Sequence, residues 1–205
     1  MSQLSQLHIE GFRSIKNGDL AFRQLNVMIG ANGVGKSNLI DFFRLLNHAL
    51  TGGFQDPYLV DRGPASAILH FGPNVTGVIR AELVFQTDAG TNTYRFTLAD
   101  SANDRLTFTK EEVRFDRRDP PRTGQPVQLI QHPSDNSGLT ELWGENDPTA
   151  RVAKYFLQRC RVYQFHGHRP EIPPARLHAR RPGPVPLRGW GEPRRLALGP
   201  ALGGT

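Results

Sequence analysis

Gly30-Ala31-Asn32-Gly33-Val34-Gly35-Lys36-Ser37 is the stretch on which the reading of this chain turns. It fits G-x-x-x-x-G-K-[ST], the P-loop or Walker A pattern. The spacing has a mechanical reason. Gly30, Gly33 and Gly35 let the backbone turn tightly, with no Cβ between it and a phosphate. Successive N–H groups then point inward as an anion nest. The helix that follows adds the positive end of its dipole. Lys36 reaches the β- and γ-phosphates as a point charge, and the Ser37 hydroxyl is placed to ligate Mg²⁺.

The flanks agree with the motif. Leu25-Asn26-Val27-Met28-Ile29 reads as a short buried strand entering the loop, and Asn38 to Leu50 as a helix leaving it. Leu39, Phe42, Phe43, Leu46 and Leu50 recur at helical spacing and make one apolar face. Thr51-Gly52-Gly53 supplies a glycine stop. Before the loop, Leu7 to Phe12 alternates as a first strand. Asn17-Gly18 signals a turn, and Asp19-Leu20-Ala21-Phe22 reads as a second strand.

Two phrases now carry a family resemblance. Ile9-Glu10-Gly11-Phe12-Arg13-Ser14-Ile15, followed by Leu25 through the loop to Asn38, resembles the start of RecF-, SMC- and OLD-like ATPases, which have ABC-type heads and are grouped with AAA-family ATPases. The fold class implied is α/β: a P-loop NTPase, lobe I of an ABC-type head, with an antiparallel β insertion. The ligands implied are ATP and Mg²⁺. The nucleotide-binding residues are Gly30, Ala31, Asn32, Gly33, Val34, Gly35, Lys36, Ser37 and Asn38, with Ser37 on the metal. The resemblance also places Arg13 near the nucleotide; the alternative is an ordinary solvated arginine after a strand.

Beyond the helix, Phe54 to Ala67 is irregular and Ile68 to Phe71 begins a β region. Val78 to Gln86 alternates, with Ile79, Ala81, Leu83 and Phe85 on one face. Asp88 to Thr91 turns the chain back, and Tyr94, Phe96 and Leu98 line the return strand. Arg105 to Phe108 and Glu112 to Phe115 read as two more strands. Such a sheet packs one face and wets the other. Asp100 reads as a turn residue, since a Walker B strand needs four buried residues and then Asp-Glu.

Asp116 to Ser137 reads as a surface loop of mixed charge, in which Arg114, Arg117, Arg118 and Arg122 are weighed against Asp116 and Asp119. Trp143 falls in a loop. Asp147-Pro148 starts a helix, with Asp as N-cap and Pro at N1. Val152, Ala153, Phe156, Leu157 and Cys160 form its buried face. Arg161 to His166 reads as a strand. By the resemblance it leads to a Q-loop, near Gln164 or His166; the alternative is two polar residues on a strand.

Composition limits the function classes. A single cysteine excludes an internal disulfide and a cysteine metal cluster. There is no run long enough to span a membrane and no signal-peptide layout at Met1 to Gln6, so a cytoplasmic protein is the simplest reading. The net charge is +6. Residues 169–205 hold seven Arg and two Glu, a net +5, which leaves +1 for everything before them. The basic character therefore belongs to the tail and not to the nucleotide-binding body.

The resemblance covers about Gln6 to His166, which divides the chain into residues 1–166, the N-terminal part of a head, and a tail, 167–205. Residues 169–205 hold eight Pro, seven Arg and six Gly, with no persisting period. One reading is a disordered tail that binds acidic partners. The favoured reading is translation out of frame through GC-rich DNA. Walker B and the signature segment are not visible, so hydrolysis belongs to the parent class, which serves DNA repair, chromosome maintenance or phage defence through a head-to-head dimer. The competing functions are a nucleic-acid-binding module working through the tail and an inactive truncated product. Because the resemblance puts the neighbours of the P-loop strand later in the chain, Val27 to Ile29 is expected to lack partners and the chain to be poorly stable.

Overall fold

A computed structural model describes residues 3–51, 58–140 and 147–163, all within one unit, Met1–Gln164. Its frame is a six-stranded antiparallel sheet in the order β2-β1-β3-β4-β5-β6. The strands are β1 (Gln3–Phe12), β2 (Ile15–Ala21), β3 (Val78–Gln86), β4 (Gly90–Ser101), β5 (Arg105–Arg117) and β6 (Val127–Gln128). The helices are α1 (Lys36–Ala49), the single turns α2 (Leu59–Arg62) and α3 (Ala65–Ile68), and α4 (Pro148–Leu157).

One face of the sheet is apolar because apolar residues alternate along β1, β3 and β4. Leu7 pairs with Leu83 and Ile9 with Ala81 across β1 and β3. Ile79, Leu83, Phe85, Tyr94, Phe96 and Leu98 are buried with them. α1 and α4 cover this face. Phe42 of α1 meets Phe12 edge-on at 5.6 Å and stacks on Phe96 at 6.3 Å. Phe156 of α4 stacks on Phe85 at 5.3 Å. Edge-on and offset rings at these separations add to the gain from burial.

The other face is wet and charged, with opposite signs set across from each other. Glu10 pairs with Arg80 at 3.2 Å. Arg95 lies between Glu82 and Glu112, and Lys110 reaches Glu112 at 3.2 Å. Directly opposed opposite charges favour this register over its neighbours.

Several local expectations are corrected. Asn17-Gly18 lies inside β2, opposite Glu10 and Ile9. The turn is at Arg13-Ser14, because Phe12 pairs with Ile15 and Arg13 takes φ of 49°. This register lays Leu20 across from Leu7, so burial overrides the dipeptide preference. Ile68 to Phe71 forms no strand: Ile68 ends α3, and only Leu69 bridges to Phe12. The two strands expected over 105–115 are one, β5, with an irregularity where Thr97 pairs with Lys110 but Leu98 with Phe108. The extra residue, Thr109, switches the inward set from Leu106 and Phe108 to Glu111 and Val113. Asp100 is an exposed residue of β4 opposite Leu106, and the turn follows at Ala102–Asp104.

The largest correction concerns Leu25–Ile29, which is not a strand. Leu25 is 82 % exposed, Val27 73 % and Ile29 91 %. A strand exists only by pairing, and no described residue pairs with this segment. A groove of ≈ 1160 Å³ runs beside it, lined by Phe22, Asn26, Met28, Phe43, Cys160 and Tyr163 among others.

In α4, Asp147 caps as expected, accepting from the Ala150 amide at 2.9 Å. Ala150, Ala153 and Leu157 are its buried residues, while Val152 faces out. Cys160 is half-buried, and burial pushes its thiol up to about 11. Arg161–Tyr163 is irregular rather than a strand. Gln164, His166, Trp143, Gly52-Gly53 and the tail 167–205 lie outside the described residues.

Candidate functional site

The loop Gly30–Gly35 stands at the amino end of α1 and is largely exposed. Gly33 and Gly35 have φ of 85° and 102°, values that L side chains avoid. Gly35 is the N-cap and makes no side-chain cap. Its neighbours leave little room: a Cβ there would meet Ser14 Oγ at 3.2 Å. A Cβ on Gly33 would meet nothing within 4 Å, so that side of the loop is open.

The amides of this turn are available. Val34 donates to Ala31 O at a long 3.4 Å, and Asn38 and Leu39 donate to Gly35 O. Those of Gly33, Gly35, Lys36 and Ser37 have no acceptor among the described residues. Helix starts leave such donors by construction. Here no capping side chain takes them, which suits an anion.

Lys36, the first residue of α1, folds back over the loop. Its Nζ donates to Gly30 O at 2.6 Å and to Ala31 O at 2.8 Å. The ammonium thus lies across the mouth of the same turn whose amides are open. Ser37 is exposed beside it, and Asn38 donates through Nδ2 to Ser14 Oγ at 2.6 Å. That bond ties the β1–β2 turn to α1. Of the expected site residues, Gly30 through Asn38 form one local feature.

Arg13 joins them from the tied turn. The expected alternatives were a phosphate contact and a solvated arginine; the side chain is ion-paired. Its Nε lies 2.7 Å from Asp41 Oδ2, and its Nη2 donates to Arg62 O at 3.1 Å. Asp41 is 6 % exposed and also faces Arg62 Nε at 3.4 Å and Arg44 Nη1 at 3.9 Å. Tyr58 Oη donates to Asp41 Oδ2 at 3.2 Å. Burial, then the Asp41 charge, holds the Tyr58 phenol well above its ordinary range. Arg13, Ser37, Asn38, Asp41, Arg44, Asp61 and Arg62 line one cleft of ≈ 270 Å³.

Asp41 and Arg62 were missed by sequence reasoning. One signal was present for Asp41: it stands one turn after Ser37, at i+4, between Ile40 and Phe42. Arg62 gave none, since a four-residue helix has no readable period.

A family model described as an AAA domain matches residues 6–146 of the 205. The chain belongs to the AAA domain family. The matched span takes in the loop, α1, the Arg13 turn and the six-stranded sheet apart from the first three residues of β1. The AAA domain is a P-loop NTPase, a nucleotide-binding fold of ATPases. No curated protein matches the chain. Among the described residues, no helix is long and apolar enough to cross a membrane, and no group of three or more His, Cys, Asp or Glu is arranged to hold a metal ion.

Proposed function

We propose that the turn Gly30–Ser37 binds the triphosphate of ATP with Mg²⁺. The observation that carries this reading is the set of four open amides, Gly33, Gly35, Lys36 and Ser37, under the Lys36 ammonium. Backbone donors there would cradle phosphate oxygens, and Lys36 would exchange its two carbonyl partners for a charged one. Ser37, exposed and next in the chain, is the metal-side hydroxyl. Mg²⁺ would supply charge neutralisation across the β- and γ-phosphates. Asn32 and Val34 contribute backbone, and their exposed side chains leave the loop mouth clear.

The finer assignment follows the resemblance of residues 9–15 and 25–38: a head part, 1–166, of the RecF/SMC/OLD-like class. Its members pair head to head on ATP in DNA maintenance or phage defence. The test is nucleotide binding by calorimetry. Lys36→Ala should abolish Mg-ATP binding while leaving the circular dichroism spectrum intact. Unchanged affinity in that variant would show that the turn is not a phosphate site.

A further inference from the structure

Nucleotide binding leaves the groove beside residues 25–29 without a role. Its volume is ≈ 1160 Å³, and its lining holds Arg23, Arg44, Arg159 and Arg161 but, among the described residues, no Asp or Glu. Arg159 lies over the Tyr155 ring at 4.6 Å, and Arg161 Nε donates to Gln158 O at 3.2 Å, so neutral groups orient both. Arg23 is exposed. Of the four, only Arg44 approaches a carboxylate among the described residues, Asp41 at 3.9 Å. Like charges gathered along one groove repel each other, and an acidic occupant relieves that repulsion.

The edge of the groove sets a second requirement. Asn26 and Met28 line it, whereas Leu25, Val27 and Ile29 lie outside it and are exposed. Alternate residues therefore point to opposite sides, which is the period of a strand. The Asn26 side chain fixes the start of this edge, accepting from Arg23 N at 3.0 Å and donating to Arg23 O at 2.8 Å. Beyond it, residues 25–29 make no backbone hydrogen bond among the described residues. Unpaired backbone of this kind is a template for an added strand.

We propose that the groove docks an extended segment of a partner polypeptide, acidic on one face and apolar on the other. Its backbone pairs with residues 25–29. Its acidic face enters the groove toward the four arginines, and its apolar face lies beside Leu25, Val27 and Ile29. The chain's own tail has the wrong charge, since residues 169–205 carry a net +5. The same groove of a second copy would set arginines against arginines. Single-stranded nucleic acid would satisfy the charges but leave the backbone edge unpaired. It would also find few rings to stack on, because Phe22 and Phe43 already meet edge-on at 6.3 Å.

The experiment follows the fluorescence anisotropy of labelled probes mixed with the 205-residue chain. The main probe is a short peptide in which Val and Glu alternate. It should bind, and bind more weakly as salt rises. The same peptide with Lys in place of Glu should not bind. N-methylation at the Val or at the Glu residues blocks one or the other edge of the peptide strand, and one of these two forms should bind about tenfold more weakly. Arg159→Glu combined with Arg161→Glu, both at exposed positions, should weaken the Val-Glu peptide about tenfold and leave the thermal melt in place. Absence of binding by the Val-Glu peptide overturns the proposal. So does equal binding of both N-methylated forms or of poly-glutamate, which would be attraction of any polyanion. Undiminished binding by the folded arginine variant would put the contact on the basic tail and overturns it too. Tighter binding of oligothymidylate than of the peptide would make the groove a nucleic-acid site instead. Should the arginine variant fail to fold, the N-methylated and poly-glutamate comparisons on the unaltered chain still decide.

Discussion

Replacing Glu111 tests whether the core is organised around a buried carboxylate. Glu111 is fully buried on β5 and acts through both oxygens. Oε1 accepts from Tyr94 Oη at 2.7 Å and from Ser137 Oγ at 2.5 Å; Oε2 accepts from the Gly138 amide at 2.7 Å. It thereby joins β4, β5 and the 137–138 segment. Glu111→Leu fills the space and strands three donors. Each stranded buried donor costs about 1–3 kcal/mol, so the sum is roughly 3–9 kcal/mol. That is a large part of the ~5–15 kcal/mol a domain commands. Glu111→Gln behaves differently. Its oxygen can take the Gly138 amide while its nitrogen donates to the two hydroxyl oxygens, which rotate to accept. The expected loss is about 1–2 kcal/mol, one weakened set of charge-assisted bonds. Urea unfolding followed by far-ultraviolet circular dichroism gives both numbers, and the slope shows whether the transition stays two-state. Adding Tyr94→Phe to Glu111→Leu removes one stranded donor and should recover part of the loss. If Glu111→Leu lies within about 1 kcal/mol of the parent chain, or Glu111→Gln falls as far as Glu111→Leu, the donors were not dependent on the carboxylate.

Two further outcomes concern the tyrosine phenols and the cap of α4. Burial, with a carboxylate beside each, raises both the Tyr58 and Tyr94 phenols above their ordinary value, Asp41 acting on the first and Glu111 on the second. A raised folded-state pKa means full stability below the unfolded value of about 10 and loss as pH climbs past it. Stability should fall by roughly 1.4 kcal/mol per pH unit for each tyrosine above about pH 10, and Tyr94→Phe should halve that slope in urea midpoints taken from pH 9 to 11.5. Asp147→Ala removes the acceptor for the Ala150 amide at the start of α4. It should cost about 1 kcal/mol by the same assay, since Pro148 still presets the first turn.

How much of this was readable from residues depends on how far apart the deciding groups lie. β3 and β4 were legible because Ile79, Ala81, Leu83 and Phe85 face Tyr94, Phe96 and Leu98 without a break in parity. β5 was split in two because Thr109 shifts the parity, and because Lys110-Glu111-Glu112 looks like a solvated trio. Nothing local marks the middle one as buried; its partners are Tyr94 and residues 137–138. Leu25–Ile29 has strand composition, yet composition cannot pair a strand, and among the described residues the segment has no strand partner.

The site divides along the same line. A phosphate-binding turn is backbone chemistry, written in consecutive residues, so glycine spacing and Lys36-Ser37 announce it. The Arg13–Asp41 pair forms only after the β1–β2 turn and α1 have met, when Asn38 bonds to Ser14 and Gly35 lies too close to Ser14 for a side chain. The glycine at Gly35 then serves two ends: it permits the left-handed cap of α1, and it lets the arginine-bearing turn approach. Gly35→Ala should therefore disturb more than loop geometry. Nucleotide binding that rests on the loop alone would weaken for ATP and ADP alike. Binding that also depends on the docked turn would weaken further, because the added methyl would sit 3.2 Å from Ser14 Oγ and press on the turn that carries Arg13.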